Sequence, residues 1–90
     1  MFQELYKIIQ DRKANPKPGS YTNSLFDEGL ARIAQKVGEE GTEVVVAALA
    51  QENKRLVEEI ADLTYHVLVL MAAKGLTPDD IEKELEKRHK

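Results

Sequence analysis

Hydrophobic residues recur at helical spacing along most of the chain. In the opening segment "FQELYKIIQDRK", Phe2, Leu5 and Ile9 fall on one stripe of a helix. The segment "NPKPGSYTNS" follows, and its two prolines and its glycine predict the end of that helix. Thr22 or Ser24 is the expected N-terminal cap of the next helix.

Further helical segments complete the pattern. The stretch "SLFDEGLARIAQKVGEEGTEVVVAALAQ" predicts a long helix that is broken or kinked near Gly29. Asn53 is the expected cap of a helix over about 54–74, which Gly75 ends. Thr77, followed by a proline and two acids, is the expected cap of the last helix. Four or five helices joined by short turns predict an all-α bundle.

Composition narrows the class of protein. Ninety residues predict a single domain over 1–90. The absence of cysteine excludes disulfides and thiolate zinc sites, and it favours a cytoplasmic location. With 13 basic and 16 acidic residues, the chain lacks the basic surplus of a nucleic-acid-binding protein. We expect no membrane segment, because the apolar runs are far shorter than the ~20 residues that cross a bilayer, and no signal peptide.

Two pairs of acids stand beside the predicted apolar faces. On the first long helix the apolar stripe consists of Ile33, Val37, Val44 and Ala48. Glu40 falls inside this stripe, and Glu43 lies on its flank. On the following helix the stripe consists of Leu56, Ile60, Leu63, Val67 and Leu70. Glu59 falls at its edge and Asp62 farther along the same flank, so antiparallel packing of the two helices would bring four carboxylates together.

Such a cluster requires neutralisation, because an unpaired buried carboxylate costs on the order of several kcal/mol. Mg²⁺ is the expected cation where oxygen ligands and phosphates share a site. The alternative is a solvated helix face, since Lys36 and Arg55 each stand four residues before an acid, at ion-pair spacing. His66 is interpreted as a packing histidine or as a supporting partner of a metal ligand, and Tyr65 as a packing residue. The pattern alone leaves a metal site and a solvated face both open.

The second long helix carries another apolar face, on the side away from the acids. This face consists of Val57, Ala61, Thr64, Leu68 and Ala72. A helix that is apolar nearly all round is buried on both sides. A 90-residue chain has little else to cover that face, so we expect a homodimer.

The blocks "SYT", "QKVGEE" and "ADLTYH", in this order, and the closing "ELEKR" resemble the phosphoribosyl-ATP pyrophosphohydrolase family. The likeness runs from about Gly19 to Arg88. The wider superfamily of all-α nucleoside-triphosphate pyrophosphohydrolases carries E-x-x-E followed by E-x-x-D. Here those positions are Glu40, Glu43, Glu59 and Asp62.

The resemblance implies Mg²⁺, a homodimer and a reaction. That reaction is hydrolysis of 1-(5-phosphoribosyl)-ATP to 1-(5-phosphoribosyl)-AMP and pyrophosphate, the second step of histidine biosynthesis. Glu39 or Glu40 is the expected residue that orients the attacking water. The expected phosphate contacts are Lys36, Ser20, Tyr21, Thr22 and Arg88, some of them supplied by a partner subunit. Without length or cysteines for a fused cyclohydrolase, the chain is expected to be the stand-alone enzyme.

Two other functions stay open at this point. A house-cleaning pyrophosphohydrolase that acts on non-standard or deoxy triphosphates would use the same four acids. A helical interaction module would use none, because its acids would be solvated. Binding of Mg²⁺ separates the module from both enzymes, and substrate preference separates the enzymes from each other.

Overall fold

The computed structural model describes residues 1–89, and within them it contains five helices and no strand. The helices are α1 (Phe2–Ala14), α2 (Tyr21–Glu28), α3 (Leu30–Ala50), α4 (Asn53–Lys74) and α5 (Pro78–Arg88). The prediction of an all-α protein is therefore confirmed. None of the helices in the described part of the chain is long and apolar enough to span a membrane.

The start of α2 lies earlier than predicted. Ser20, and not Thr22 or Ser24, is the cap, because its side chain accepts the backbone N–H of Asn23 at 3.3 Å. The Asn23 side chain is buried and donates to the carbonyl of Arg12 at 2.6 Å. These bonds fix the segment that follows the prolines against the end of α1.

Three other helix ends follow the sequence signals closely. Gly29 interrupts the long helical stretch with a φ of +99°, which separates α2 from α3. Gly75 adopts the left-handed conformation at φ +74° and ends α4 as predicted. Thr77 forms a capping box with Asp80, also as predicted. Asn53 is already the first residue of α4, so its predicted role as the cap is wrong by one position.

The hydrophobic core lies at one end of the molecule. Its buried members are Tyr6 and Ile9 from α1, Leu25 from α2, Ile33 from α3, and Leu68, Val69, Met71 and Ala72 from α4. The hydroxyl of Tyr6 donates to the carbonyl of Leu76, which holds α1 against the chain beyond α4. The core therefore uses the beginning of α3 and the end of α4, while the other ends of these two helices project away from it.

This arrangement corrects two predictions about helix faces. Leu68 and Ala72, assigned above to a face for a second chain, belong to the core of the single chain. Ile60 and Ala48, assigned to core stripes, are exposed, and Ala47 is buried in their region instead. The reason is that the core members of α4 all lie in its second half, together with residues of α1, α2 and α3, whereas its first half contributes none.

Candidate active site

The α3–α4 hairpin brings acids from its two helices together. Only Gln51 and Glu52 separate the helices, so α4 runs back along α3. Glu40 and Glu59 are buried, with 6% and 4% of their surface exposed, and Glu43 lies beside them on the exposed side. One carboxylate oxygen from each of the three residues lies within 4.8 Å of the others. The predicted convergence therefore occurs for three of the four acids.

Each buried glutamate is paired with a cation through one oxygen only. Lys36 Nζ lies 3.4 Å from Glu40 Oε1, and Arg55 Nη2 lies 2.7 Å from Glu59 Oε1. The other oxygen of each glutamate, Oε2, is buried and has no hydrogen-bond partner. An unsatisfied buried carboxylate oxygen is costly. The expected ion pairs thus form, but they leave unmet charge inside the cluster.

The pKa of the Glu43 carboxyl is raised by its two acidic neighbours. Hydrogen bonding to Glu59 and then to Glu40 raises the pKa of Glu43 to about 7, and the negative charges of both neighbours act in the same direction. A proton on Glu43 gives the cluster a donor between carboxylates that otherwise only accept. The raised pKa of Glu43 therefore marks the place in the cluster where negative charge is least favourable.

Lys36 stands at the edge of the cluster. Burial acts to lower the pKa of Lys36, but the hydrogen bond to Glu40 and the Coulombic interactions with Tyr21, Glu40 and Glu39 together raise it. Its ammonium group also lies 3.8 Å from Glu39 Oε1. Glu39 is exposed and accepts a hydrogen bond from Gln35 at 3.0 Å. Lys36 therefore stays a cation beside an exposed carboxylate and a buried one.

Asp62, the fourth predicted ligand, lies outside the group of three. It follows Glu59 by one turn of α4, and its side chain is exposed. Its backbone carbonyl accepts a hydrogen bond from His66 Nδ1 at 2.7 Å. His66 is buried, so the structure places it directly behind the turn that carries Asp62.

The predicted phosphate contacts at the start of α2 lie against α4. The Tyr21 hydroxyl is 3.0 Å from His66 Nε2, and the Thr22 hydroxyl is hydrogen-bonded to the hydroxyl of Tyr65. The rings of Tyr21 and Tyr65 are stacked, with centroids 6.2 Å apart. Sequence reasoning missed these contacts, because it interpreted Tyr65 as a packing residue and no local spacing relates it to Thr22.

Arg88 is separate from these groups. Its side chain pairs with Glu84 at 2.9 Å, within α5. Helix α5 buries none of its residues and packs against α1. Among the described residues Arg88 therefore has its ion pair within α5 and not with the acids of the hairpin.

Two cavities are lined by residues that the sequence predicts for the site. A small cavity of about 230 Å³ is lined by Glu43, Val46, Gln51, Arg55 and Glu59. A larger one of about 610 Å³ lies at the α1–α2 connection, where Lys17, Ser20 and Tyr21 are among its walls. The chemistry favours the smaller cavity as the cation side, because its walls include Glu43 and also Glu59, which carries one of the two unpartnered carboxylate oxygens. The larger cavity has room for an extended ligand but contains only Asp27 as an acid.

A helical hairpin with facing carboxylates, two of them buried, defines an all-α protein with a candidate cation site. Residues 2–89 match the family model described as phosphoribosyl-ATP pyrophosphohydrolase, and the chain belongs to that family. The predicted family is thus confirmed. The chain is 53% identical over 88 residues to a phosphoribosyl-ATP pyrophosphatase of Clostridium botulinum, covering 98% of this chain and 80% of that protein. It is also 53% identical over 87 residues to one of Saccharolobus islandicus, covering 97% and 93%.

Proposed function

We propose that this chain hydrolyses the α–β phosphoanhydride of 1-(5-phosphoribosyl)-ATP and releases 1-(5-phosphoribosyl)-AMP and pyrophosphate, the second step of histidine biosynthesis. Family membership supports the substrate, and the relatives carry the name of this activity. The observation that supports the chemistry is the pair of buried, unpartnered oxygens, Glu40 Oε2 and Glu59 Oε2. In this proposal residues 1–90 form a single domain, and the protein works in the cytoplasm.

The donor set fits Mg²⁺. Hard divalent cations take carboxylate oxygens, and three such oxygens already lie within 4.8 Å of one another. Glu40, Glu43 and Glu59 would hold the ion, with Asp62 as the fourth ligand from the next turn of α4. When bound, Mg²⁺ neutralises charge on the phosphate oxygens and lowers the pKa of a bound water.

The residues around the acids would bind a substrate phosphate and orient the attacking water. Lys36 is a cation beside the acids and would donate to a phosphate oxygen of the substrate. Glu39, exposed one residue before Glu40, or Glu40 itself would orient the attacking water. Positioning of the water and the phosphorus accounts for most of the rate gain expected in such a reaction.

The start of α2 would bind the remainder of the substrate. Ser20, Tyr21 and Thr22 border or adjoin the larger cavity, next to Lys17. A phosphoribosyl group adds a phosphate and a second ribose that ATP lacks. Energy gained from binding these groups can be used to position the α-phosphorus, so a truncated substrate loses turnover as well as affinity.

A second copy of the chain would complete the bundle as a homodimer. The far end of the α3–α4 hairpin exposes five large apolar residues: Val45, Val46, Leu49, Val57 and Ile60. An apolar patch of this kind marks an interaction surface, and two-fold pairing is the commonest solution. In such a dimer Arg88 would reach the phosphates of the partner subunit's site.

Substrate comparison tests this function. We expect phosphoribosyl-ATP to be cleaved far faster than ATP, dUTP or dCTP at equal concentration with Mg²⁺, and pyrophosphate to be the product. Pyrophosphate and orthophosphate are measured separately. If a deoxynucleotide is the best substrate, the chain is a house-cleaning pyrophosphohydrolase and the proposed substrate is wrong. Orthophosphate as the product would refute the bond assignment, and absence of both cleavage and Mg²⁺ binding would favour an interaction module.

A further inference from the structure

The side chain of His66 joins two segments that lie far apart in sequence. His66 is buried, with 5% of its surface exposed. Its Nδ1 lies 2.7 Å from the carbonyl oxygen of Asp62, and its Nε2 lies 3.0 Å from the hydroxyl of Tyr21. One imidazole ring therefore connects the first residue of α2 to the turn of α4 that carries a proposed metal ligand.

These two bonds determine where the protons lie. A carbonyl oxygen can only accept a hydrogen bond, so Nδ1 of His66 must carry the hydrogen. In the neutral ring Nε2 is then the acceptor, and the hydroxyl of Tyr21 must donate to it. The proton of Tyr21 is thus directed to His66 and is not free to meet a phosphate.

The contact does not stand alone. One residue farther along, Thr22 is hydrogen-bonded to Tyr65, the neighbour of His66. The rings of Tyr21 and Tyr65 lie 26° from parallel, and both meet the His66 ring edge-on. Two adjacent residues of α2 therefore bind two adjacent residues of α4, which fixes the orientation of the Tyr21 ring although 52% of Tyr21 is exposed.

We propose that His66, as the Nδ1–H tautomer, is a positioning residue that holds Tyr21 and the start of α2 against the turn of α4 bearing Asp62. This inference rests on the proposed function, since it assigns the contribution of Tyr21 to substrate binding to its oriented ring and not to its hydroxyl proton. His66 itself touches no reacting atom.

The tautomer is tested without any substrate. The chain has only two histidines, so ¹⁵N spectra of the imidazole nitrogens in the His89→Gln variant report on His66 alone. We expect a protonated Nδ1 and an unprotonated Nε2, and a shift of the Nε2 signal in Tyr21→Phe. A protonated Nε2 with a bare Nδ1, or an Nε2 signal that ignores Tyr21→Phe, would overturn the proposal.

Kinetics test the role. The amide of His66→Asn stands near the place of Nδ1 and keeps the bond to Asp62, whereas that of His66→Gln reaches the place of Nε2 and keeps the bond to Tyr21. We expect His66→Asn and Tyr21→Phe each to lower kcat/KM for phosphoribosyl-ATP about 10-fold, mainly through KM. The double variant should lose no more than either single one, and His66→Gln should restore much of the loss.

A merely structural histidine would give a different result. Additive losses in the double variant, or wild-type KM in His66→Asn, would refute the positioning role. Tyr6→Phe is the matched control, because it also removes a tyrosine hydroxyl. The Tyr6 hydroxyl donates to a backbone carbonyl, and Tyr6 lies in the hydrophobic core, apart from the clustered acids. It should lower stability and leave KM unchanged. If the wild-type chain cleaves no phosphoribosyl-ATP, the proposed function fails, and the ¹⁵N spectra still decide the tautomer and the contact.

Discussion

Glu40 and Glu59 occupy equivalent situations on the two helices of the hairpin. Each directs Oε1 to a cation four residues earlier on its own helix and leaves Oε2 buried without a partner. The alternatives left open by the sequence, a surface ion pair and a metal site, therefore describe two oxygens of the same carboxylate. The ion pairs reduce the cost of burial, and the remaining oxygens are the ones proposed to bind a divalent cation.

Glu59→Gln should separate these two uses. It keeps the shape of the side chain but removes the charge that faces the cluster, so we expect Mg²⁺ affinity and turnover to fall by about 10- to 100-fold or more. Calorimetric titration with Mg²⁺ and pyrophosphate release measure the two effects. Glu58→Gln is the matched control, because Glu58 also pairs with Arg55, at 2.6 Å, but lies outside the cluster. Equal losses in both variants would contradict the assignment.

Asp62→Asn tests the ligand that the structure leaves exposed. If Asp62 completes the site from the next turn of α4, its neutral isostere should weaken Mg²⁺ binding and largely abolish turnover. The fold should survive, because the side chain is exposed and removal of a like charge relieves repulsion. Circular dichroism checks the fold. Full activity at saturating Mg²⁺ would remove Asp62 from the metal site.

The pKa of Glu43 predicts a pH dependence of the metal-free chain. Because the folded-state pKa is raised to about 7 from 4.5, the folded state binds this proton more tightly than the unfolded state. The resulting stabilisation is complete below about pH 4.5 and is lost as the pH rises through 7. Urea unfolding in EDTA between pH 5 and 8 should show this decline, and Glu43→Gln should remove it.

Mg²⁺ should reverse that trend. If Glu43 is a ligand, binding must displace its proton, so the Mg²⁺ affinity should be weaker at pH 6 than at pH 8. Proton release measured in two buffers of different ionisation enthalpy checks the displacement directly. A Mg²⁺ affinity that is the same at both pH values would argue against Glu43 as a ligand.

Assembly can be tested on the exposed end of the hairpin. Val57→Asp places a charge on the apolar surface proposed for the partner and should convert the dimer to monomer. Light scattering should give twice the 10.2 kDa mass of one chain for the wild type, and the mass of one chain for the variant. Ile8→Asp is the control, since Ile8 is similarly exposed but lies on α1. A wild-type chain that is monomeric at micromolar concentration would exclude the dimer.

Substitution by alanine should have opposite effects on the stability of the chain at two of its glycines. Gly75→Ala should destabilise the chain by about 1 kcal/mol, because a φ of +74° is unfavourable for a residue with a Cβ. Gly38→Ala should stabilise it by up to about 1 kcal/mol, since Gly38 lies within α3 and a Cβ there meets no atom within 4 Å beyond its chain neighbours and the backbone of its own helix. Urea unfolding of both variants measures the difference, and a loss of stability in both would contradict it.

Local signals in the sequence predicted the helices and the convergence of three acids in the candidate site. Thr77 and Gly75 define helix ends through local hydrogen bonding and backbone conformation. The predictions at these two positions were therefore correct without knowledge of the fold. Glu40 and Glu59 were identifiable because an acid at a core position is unusual anywhere along a helix. Leu68 was misplaced because the set of helices around α4 changes along its length, which no single helical wheel can represent. The pairing of Tyr21 with His66 joins residues 45 positions apart and has no periodic signature.

The separation of the core from the acids affects how the molecule fluctuates. Val69, in the second half of α4, is fully buried in a core that also contains residues of α1, α2 and α3, whereas the first half of α4, with Arg55, contributes no residue to that core. Amide hydrogens near Val69 should therefore exchange with solvent only when the whole chain unfolds, and those near Arg55 through local fraying. A cation bound by both helices, as proposed above, would hold that end closed and slow its exchange, so the ion proposed for the chemistry would also stabilise the hairpin that binds it.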